Sequence, residues 1–147
     1  MPTETSASSD GSQPAPFRSR TVAALLAALL GLLGAHRLYV GARWWWVYPA
    51  LGAPAVGWAV RQAEWYRSGG FVLATGVILV AMLEAIVWCL TPDEKWDARF
   101  NARSTRRSAN RWAPVLIAVA TLMFGASLMM AVLAIALETY FEARRLQ

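Results

Sequence analysis

Apolar residues along this chain come in long blocks and not at amphipathic spacing, the pattern of helices solvated by lipid. Four blocks stand out. The first runs from Thr21 to Ala35 and can extend to Gly41; at its shorter length it makes a helix of about 22 Å, less than a hydrocarbon core of about 30 Å. A secretory signal has a block of similar length, but here a long polar stretch precedes Arg18 and Arg20, and Leu33 and Ala35 make a poor cleavage site. The second block, Trp45 to Val60, contains Pro49, Gly52, Pro54 and Gly57, so a straight helix is not expected. Trp44, Trp45, Trp46 and Tyr48 cluster at one end of it, and Trp58, Trp65 and Tyr66 at the other. Such aromatic belts favour a full crossing, the alternative being a re-entrant hairpin shielded by other protein. The third block, Phe71 to Leu90, spans with little tilt, while the fourth, Ala113 to Leu137, must tilt or protrude. Pro114 suits a first-turn position, where its missing donor costs nothing.

The polar stretches complete the plan. Residues 1–20 are rich in Ser, Pro and Ala and read as a disordered tail. Thr91-Pro92-Asp93-Glu94 has the form of a capping box, predicting a short helix from Pro92 to about Arg103. Trp96 and Phe100 share one face of it, and Lys95, Arg99 and Arg103 another. That division suits a helix lying in the membrane interface, with a solvated helix as the plain alternative. The expected fold is therefore all-α: an integral membrane helical bundle of four transmembrane segments plus a short interfacial amphipathic helix. Its parts are a tail (1–20), a helical hairpin (21–65), a third span (71–90), a basic loop (91–112), a fourth span (113–137) and a polar C-terminal tail (138–147).

Composition agrees with lipid as the solvent. Hydrophobic residues make up 57% of the chain and charged ones only 16%, against about 25% charged in soluble domains. The net charge of +5 would suit nucleic acid in a soluble chain. Here the basic residues flank apolar blocks, which makes anionic lipid headgroups the expected partners and argues against nucleic acid. The single cysteine, Cys89, and the single histidine, His36, cannot build a protein-only zinc site. Cys89, Met123, Met129 and Met130 read as packing residues. No metal, cofactor or catalytic set is expected, and the chain reads as a non-enzyme.

Two features carry more specific content. Ala23, Ala27, Gly31 and Ala35 recur every fourth residue, a ridge of small side chains that lets another helix approach closely. Ala53 and Gly57 repeat the spacing and mark the second block as its expected partner. Gly41 is placed to end the helix or to form a tight turn. His36 and Arg37 then fall near the interface, where Arg37 can reach phosphate or pair with a carboxylate. The second feature is Glu84, the one ionisable residue deep in a long block. Its alternatives are structural pairing, with His36 or Arg37, and a proton or ion role.

The run Gly31-Leu-Leu-Gly34-Ala-His36-Arg37-Leu-Tyr39-Val-Gly41 resembles the signature of the two-transmembrane (TM-two) domain family, Gly-X-X-Gly-X-[His/Asp]-Arg-Phe-Tyr-Leu-Gly. Leu38 and Val40 depart mildly from it, and His36 is similar to bacterial members. The resemblance covers about residues 17–65, and Thr91 to Asn101 is similar to an extension in some bacterial members. It implies a multi-pass protein of a bacterial inner membrane and no defined activity.

Lys95, Arg99, Arg103, Arg106, Arg107 and Arg111 form a basic run, read either as the usual positive excess on the cytoplasmic side or as a lipid-binding patch. With four spans, one side carries eight basic residues and the other six, which favours His36, Arg37 and the basic loop in the cytoplasm and both termini outside, although Arg18 and Arg20 argue the other way. The expected role is a scaffold or accessory protein that packs with itself, as a homo-oligomer, or with other membrane proteins. The alternative is a small transporter or channel subunit using Glu84.

Overall fold

The computed structural model describes residues 15–109 and 112–145. Six α-helices follow one another: α1 (Arg20–Leu30), α2 (Ala35–Tyr39), α3 (Val47–Ala59), α4 (Gly69–Leu90), α5 (Asp93–Phe100) and α6 (Ala113–Arg145). A 3₁₀ turn at Gly31–Leu33 extends α1, and another at Trp65–Arg67 precedes α4. No strand occurs among the described residues.

Among the described residues, two helices have the length and apolarity to cross a bilayer. Each of α4 and α6 contains a window of mean hydropathy 2.3, of which 28% and 6% respectively is buried within the molecule. A core helix of a soluble protein would bury most of such a surface; here it faces outward, and lipid is the solvent that satisfies it. The two outward-facing apolar helices point to a membrane protein.

α4 is the axis of the packing, and its small residues explain why. Ser68 caps its start by accepting the Phe71 N–H. Ala74, Ala81, Ala85 and Cys89 then form its buried face with Thr75 and Val77. α1 covers one half of this face and α3 the other. Arg20, at the start of α1, donates to the Thr91 carbonyl at the end of α4. Ala24 and Ala27 pack with Ala85 and Cys89, and Gly31 lies directly on Ala81. From that level α3 takes over: Tyr48 packs with Val77 and Ala81, and Gly70 lies against the backbone of Ala55 and Ala59. The halves meet where Leu32 covers Gly52. Thus α1 and α3 both run antiparallel to α4, in tandem along it.

This arrangement corrects the reading of the small-residue ridge. Ala23, Ala27 and Gly31 are buried, but α4 and α6, and not α3, supply the partner for Ala27 and Gly31. Ala53 is exposed, and a side chain at Gly57 would meet nothing within 4 Å. The buried face of α3 is Tyr48, Gly52, Ala55 and Ala59, one position out of step with the expected pair. The two blocks also exchange roles: the first is interrupted, α1 ending in its 3₁₀ turn, whereas the second, expected to be broken by its prolines, is one continuous helix of 13 residues with Pro54 inside it.

α6 returns antiparallel to α4, bringing Ala118 against Ala24, Ala27, Ala85 and Cys89. Met82 of α4 lies across Gly125. The helix is 33 residues long, about 50 Å, and it continues through Arg145. The expected polar tail from residue 138 is therefore helical up to residue 145. Of the expected N-terminal tail, residues 15–19 are described and packed, whereas 1–14 lie outside the described residues.

Candidate functional site

Between the tandem helices the chain makes an excursion, residues 34–46, and the motif residues lie in it or at its edge. Gly34 adopts φ +67°, and a side chain there would strike the Trp45 carbonyl; only glycine serves both needs. The chain then folds back along α1 as α2. Gly41, at φ +71°, ends this return with the Arg18 guanidinium packed where a side chain would stand. The Tyr39 hydroxyl accepts the Ser19 N–H at 2.9 Å. Leu38, at the position that departs from the family phenylalanine, is exposed, so packing within the chain does not constrain it.

His36 and Arg37 converge on Glu84. The His36 Nε2 lies 3.0 Å from Glu84 Oε2, and the Arg37 Nε donates to the same oxygen at 3.1 Å. The Arg37 Nη2 donates to Oε1, completing a bidentate pair. Tyr48 stands beside the cluster: its ring stacks edge-on to His36 at 4.8 Å and lies beneath Arg37 at 5.4 Å. His36 is fully buried, and its Nδ1 meets no hydrogen-bond partner among the described residues, so Nε2 is the nitrogen that holds the contact. With both oxygens occupied, Glu84 has little capacity left to act as a base. The arrangement is a tie: it fixes α2, and with it the whole excursion, to α4.

A second group of ties gathers at the end of the molecule where α1 begins and α4 ends. The Asn101 side chain accepts the Arg18 N–H at 2.8 Å and donates to the Arg18 carbonyl at 3.1 Å, while the Trp96 indole donates to that carbonyl at 2.9 Å. Asp97 in turn accepts from Asn101 and from both the backbone and hydroxyl of Ser108, each at 2.7 Å. Burial pushes the Asp97 carboxyl up, but the donors from Asn101 and Ser108, with Arg107 nearby, outweigh it and hold the group below its usual range. Arg20 adds an ion pair to Asp93 at 2.8 Å.

These contacts change the account of α5. Thr91 does not cap the helix: its hydroxyl donates to the Val87 carbonyl of α4, α5 starts at Asp93, and its Pro92 cap position makes no side-chain bond. The apolar face does not lie in lipid either. Trp96 is 1% exposed, packed with Ala23 and Val40, because the N-terminal segment and the excursion occupy the place where acyl chains would sit. The opposite face keeps its expected character, for Lys95, Arg99, Arg103, Arg106 and Arg107 are exposed. Arg106 lies over the Phe17 ring at 4.9 Å; Arg111 is outside the described residues. At the other end of the bundle, Arg67 bridges to Glu138 at 3.3 Å and Glu142 at 2.8 Å. Sequence reasoning read Arg18 only as a charge flanking the first block and singled out none of Asp97, Asn101 or Arg67. The Asp97–Asn101 pair carried a usable signal, two side chains one helical turn apart at the end of a helix; the others depend on tertiary proximity.

The Arg37–Glu84 pair separates two clefts. A cleft of about 690 Å³ lies between α3 and α4, walled by Trp44, Leu51, Val72, Leu73 and Val77. The other, of about 330 Å³, opens toward α5 and is lined by Val87, Trp88, Arg99 and Phe100. Arg37, Val80 and Glu84 line both.

Residues 16–60 match the family model of the TM2 domain, the segment containing α1, the excursion and α3. No curated protein and no solved structure matches the chain.

Proposed function

We propose that this membrane protein, which carries a TM2 domain, is a non-enzymatic scaffold or accessory subunit that crosses the bilayer three times. The tandem placement of α1 and α3 along α4 supports the count. Neither half reaches about 30 Å alone, yet end to end they cover the whole of α4. Such discontinuous helices are tolerated where protein covers the broken backbone. Three crossings, and not the four expected from hydropathy, also clarify the charge distribution. Arg18, Arg20, Arg43, Lys95, Arg99, Arg103, Arg106 and Arg107 then share one side, against Arg61, Arg67, Arg144 and Arg145 on the other. Eight against four is the asymmetry of a cytoplasmic face. The N-terminus is then cytoplasmic and the C-terminus lies across the membrane, which replaces the placement of both termini outside.

One observation carries the scaffold reading: both oxygens of the intramembrane carboxylate, Glu84, are engaged by Arg37 and His36. A carboxylate serving an ion path must exchange partners, whereas this one holds two segments together. The outer surface of α6 is the natural place for a partner membrane helix. Crosslinking in intact membranes tests the reading, with defined adducts through α6 expected. Proton-driven flux in liposomes that disappears in Glu84→Gln would instead establish the transporter alternative.

A further inference from the structure

We propose that the two clefts flanking Arg37–Glu84 form one binding site for a single anionic phospholipid, its acyl chain in the α3–α4 cleft and its phosphate beside Arg99. The larger cleft has the volume of a ligand site, is open on its outer side, and is lined almost wholly by apolar atoms. It runs along the membrane-crossing part of α4, where an acyl chain already is the solvent. Its upper end is the Arg37–Glu84 pair, beyond which the second cleft continues toward α5.

Charge selects the headgroup. Arg37 is neutralised by Glu84, so the pair adds no net charge to either cleft. Arg99 lines the second cleft with its guanidinium 5.3 Å from the Phe100 ring, and it meets no carboxylate among the described residues. The net charge of the second cleft is thus positive, at the end facing the basic side of the molecule. A zwitterionic headgroup brings its own cation to that point, whereas an anionic one does not. Gly76 gives a handle on the acyl chain. It lines the larger cleft, and a side chain added there would meet nothing within 4 Å. No packing within the chain requires glycine at that place in α4. The site depends on the protein residing in a membrane and not on the number of crossings.

Native mass spectrometry of the full chain in detergent tests this, with equimolar phosphatidylglycerol and phosphatidylcholine of identical acyl chains as probes. The expected result is retention of one phosphatidylglycerol, favoured about tenfold over phosphatidylcholine, the scale of one charge-assisted contact. Arg99→Gln brings the ratio close to one and Arg99→Lys restores part of it. Gly76→Leu fills the cleft and lowers retention of both lipids. Gly57→Leu, which projects into open space outside the cleft, leaves retention unchanged and controls for a general effect of added bulk. Equal retention of the two lipids by the unaltered protein overturns the proposal. So does a preference that survives Arg99→Gln, or one that Arg99→Gln removes while Gly76→Leu has no effect, since that describes a surface patch without the cleft.

Discussion

Arginine–carboxylate pairs hold both the middle and the far end of this bundle, and the same chemistry has different consequences in the two places. Arg37 and Glu84 meet between packed helices, with side chains 32% and 20% exposed and a fully buried histidine sharing the carboxylate. Arg67 meets Glu138 and Glu142 beyond the apolar part of α6, where the two carboxylates are 60% and 50% exposed. Water can replace a partner lost from the second pair but not from the first. The environment, and not the bond, decides which tie is structural.

Breaking the inner tie has the largest expected effect. Glu84→Ala leaves Arg37 charged and short of acceptors, and destabilises the protein in detergent by about 3–5 kcal/mol. Arg37→Met combined with Glu84→Leu recovers part of this, because no unpaired charge remains. Unfolding midpoints across the set measure both, and a Glu84→Ala protein as stable as the parent would remove the inner tie from the account.

Asn101→Ala is next. It strands the N–H of Arg18 and takes one donor each from Asp97 and from the Arg18 carbonyl, which keeps the Trp96 indole, at a cost of about 1–3 kcal/mol. The readout is faster amide exchange at Arg18 with little change at the middle of α4.

A pH effect follows from Asp97. Its folded-state pKa is lowered, so its stabilisation is complete above the unfolded value of about 3.9 and is lost as pH falls through the folded value. Protection of the Ser108 amide, which donates to Asp97, should hold from pH 8 down to pH 5 and fall only in stronger acid. Asp97→Asn should lower that protection between pH 5 and pH 8 and flatten its fall in stronger acid.

Arg67→Gln completes the comparison with the smallest effect. The unfolding midpoint stays within experimental scatter, and exchange quickens only in the last turns of α6. A loss comparable to that of Glu84→Ala would mean that exposure does not separate the two ties.

Much of this was legible in the sequence, for identifiable physical reasons. Blocks of apolar residues declare long helices because lipid imposes length and composition directly, so α4 and α6 follow almost from hydropathy. Gly41 was legible as a break because glycine is what a left-handed turn demands; Gly34, which makes the same turn, was not, since an apolar block runs through it without a polar signal. Glu84 was conspicuous as a lone carboxylate in an apolar block, and His36 and Arg37 were the nearest candidates to answer it. Placement was not legible. Hydropathy gives how apolar a segment is and not where it sits, so α1 and α3 look like two neighbouring spans although they lie end to end. The same limit hid the cover over Trp96: an amphipathic helix reads identically whether lipid or Ala23 and Val40 occupy its apolar face. The capping box failed for a related reason, since the Thr91 hydroxyl had the Val87 carbonyl of the preceding helix within reach.

The central claim is that α1 and α3 together make a single crossing. Single cysteines at Ser12→Cys, Gln62→Cys, Ala102→Cys and Gln147→Cys, in a Cys89→Ala background, can be probed with a membrane-impermeant maleimide in sealed vesicles of both orientations. The account predicts that positions 12 and 102 label from one face and positions 62 and 147 from the other. Labelling of positions 12, 62 and 147 from one face, with 102 alone on the opposite face, would contradict it.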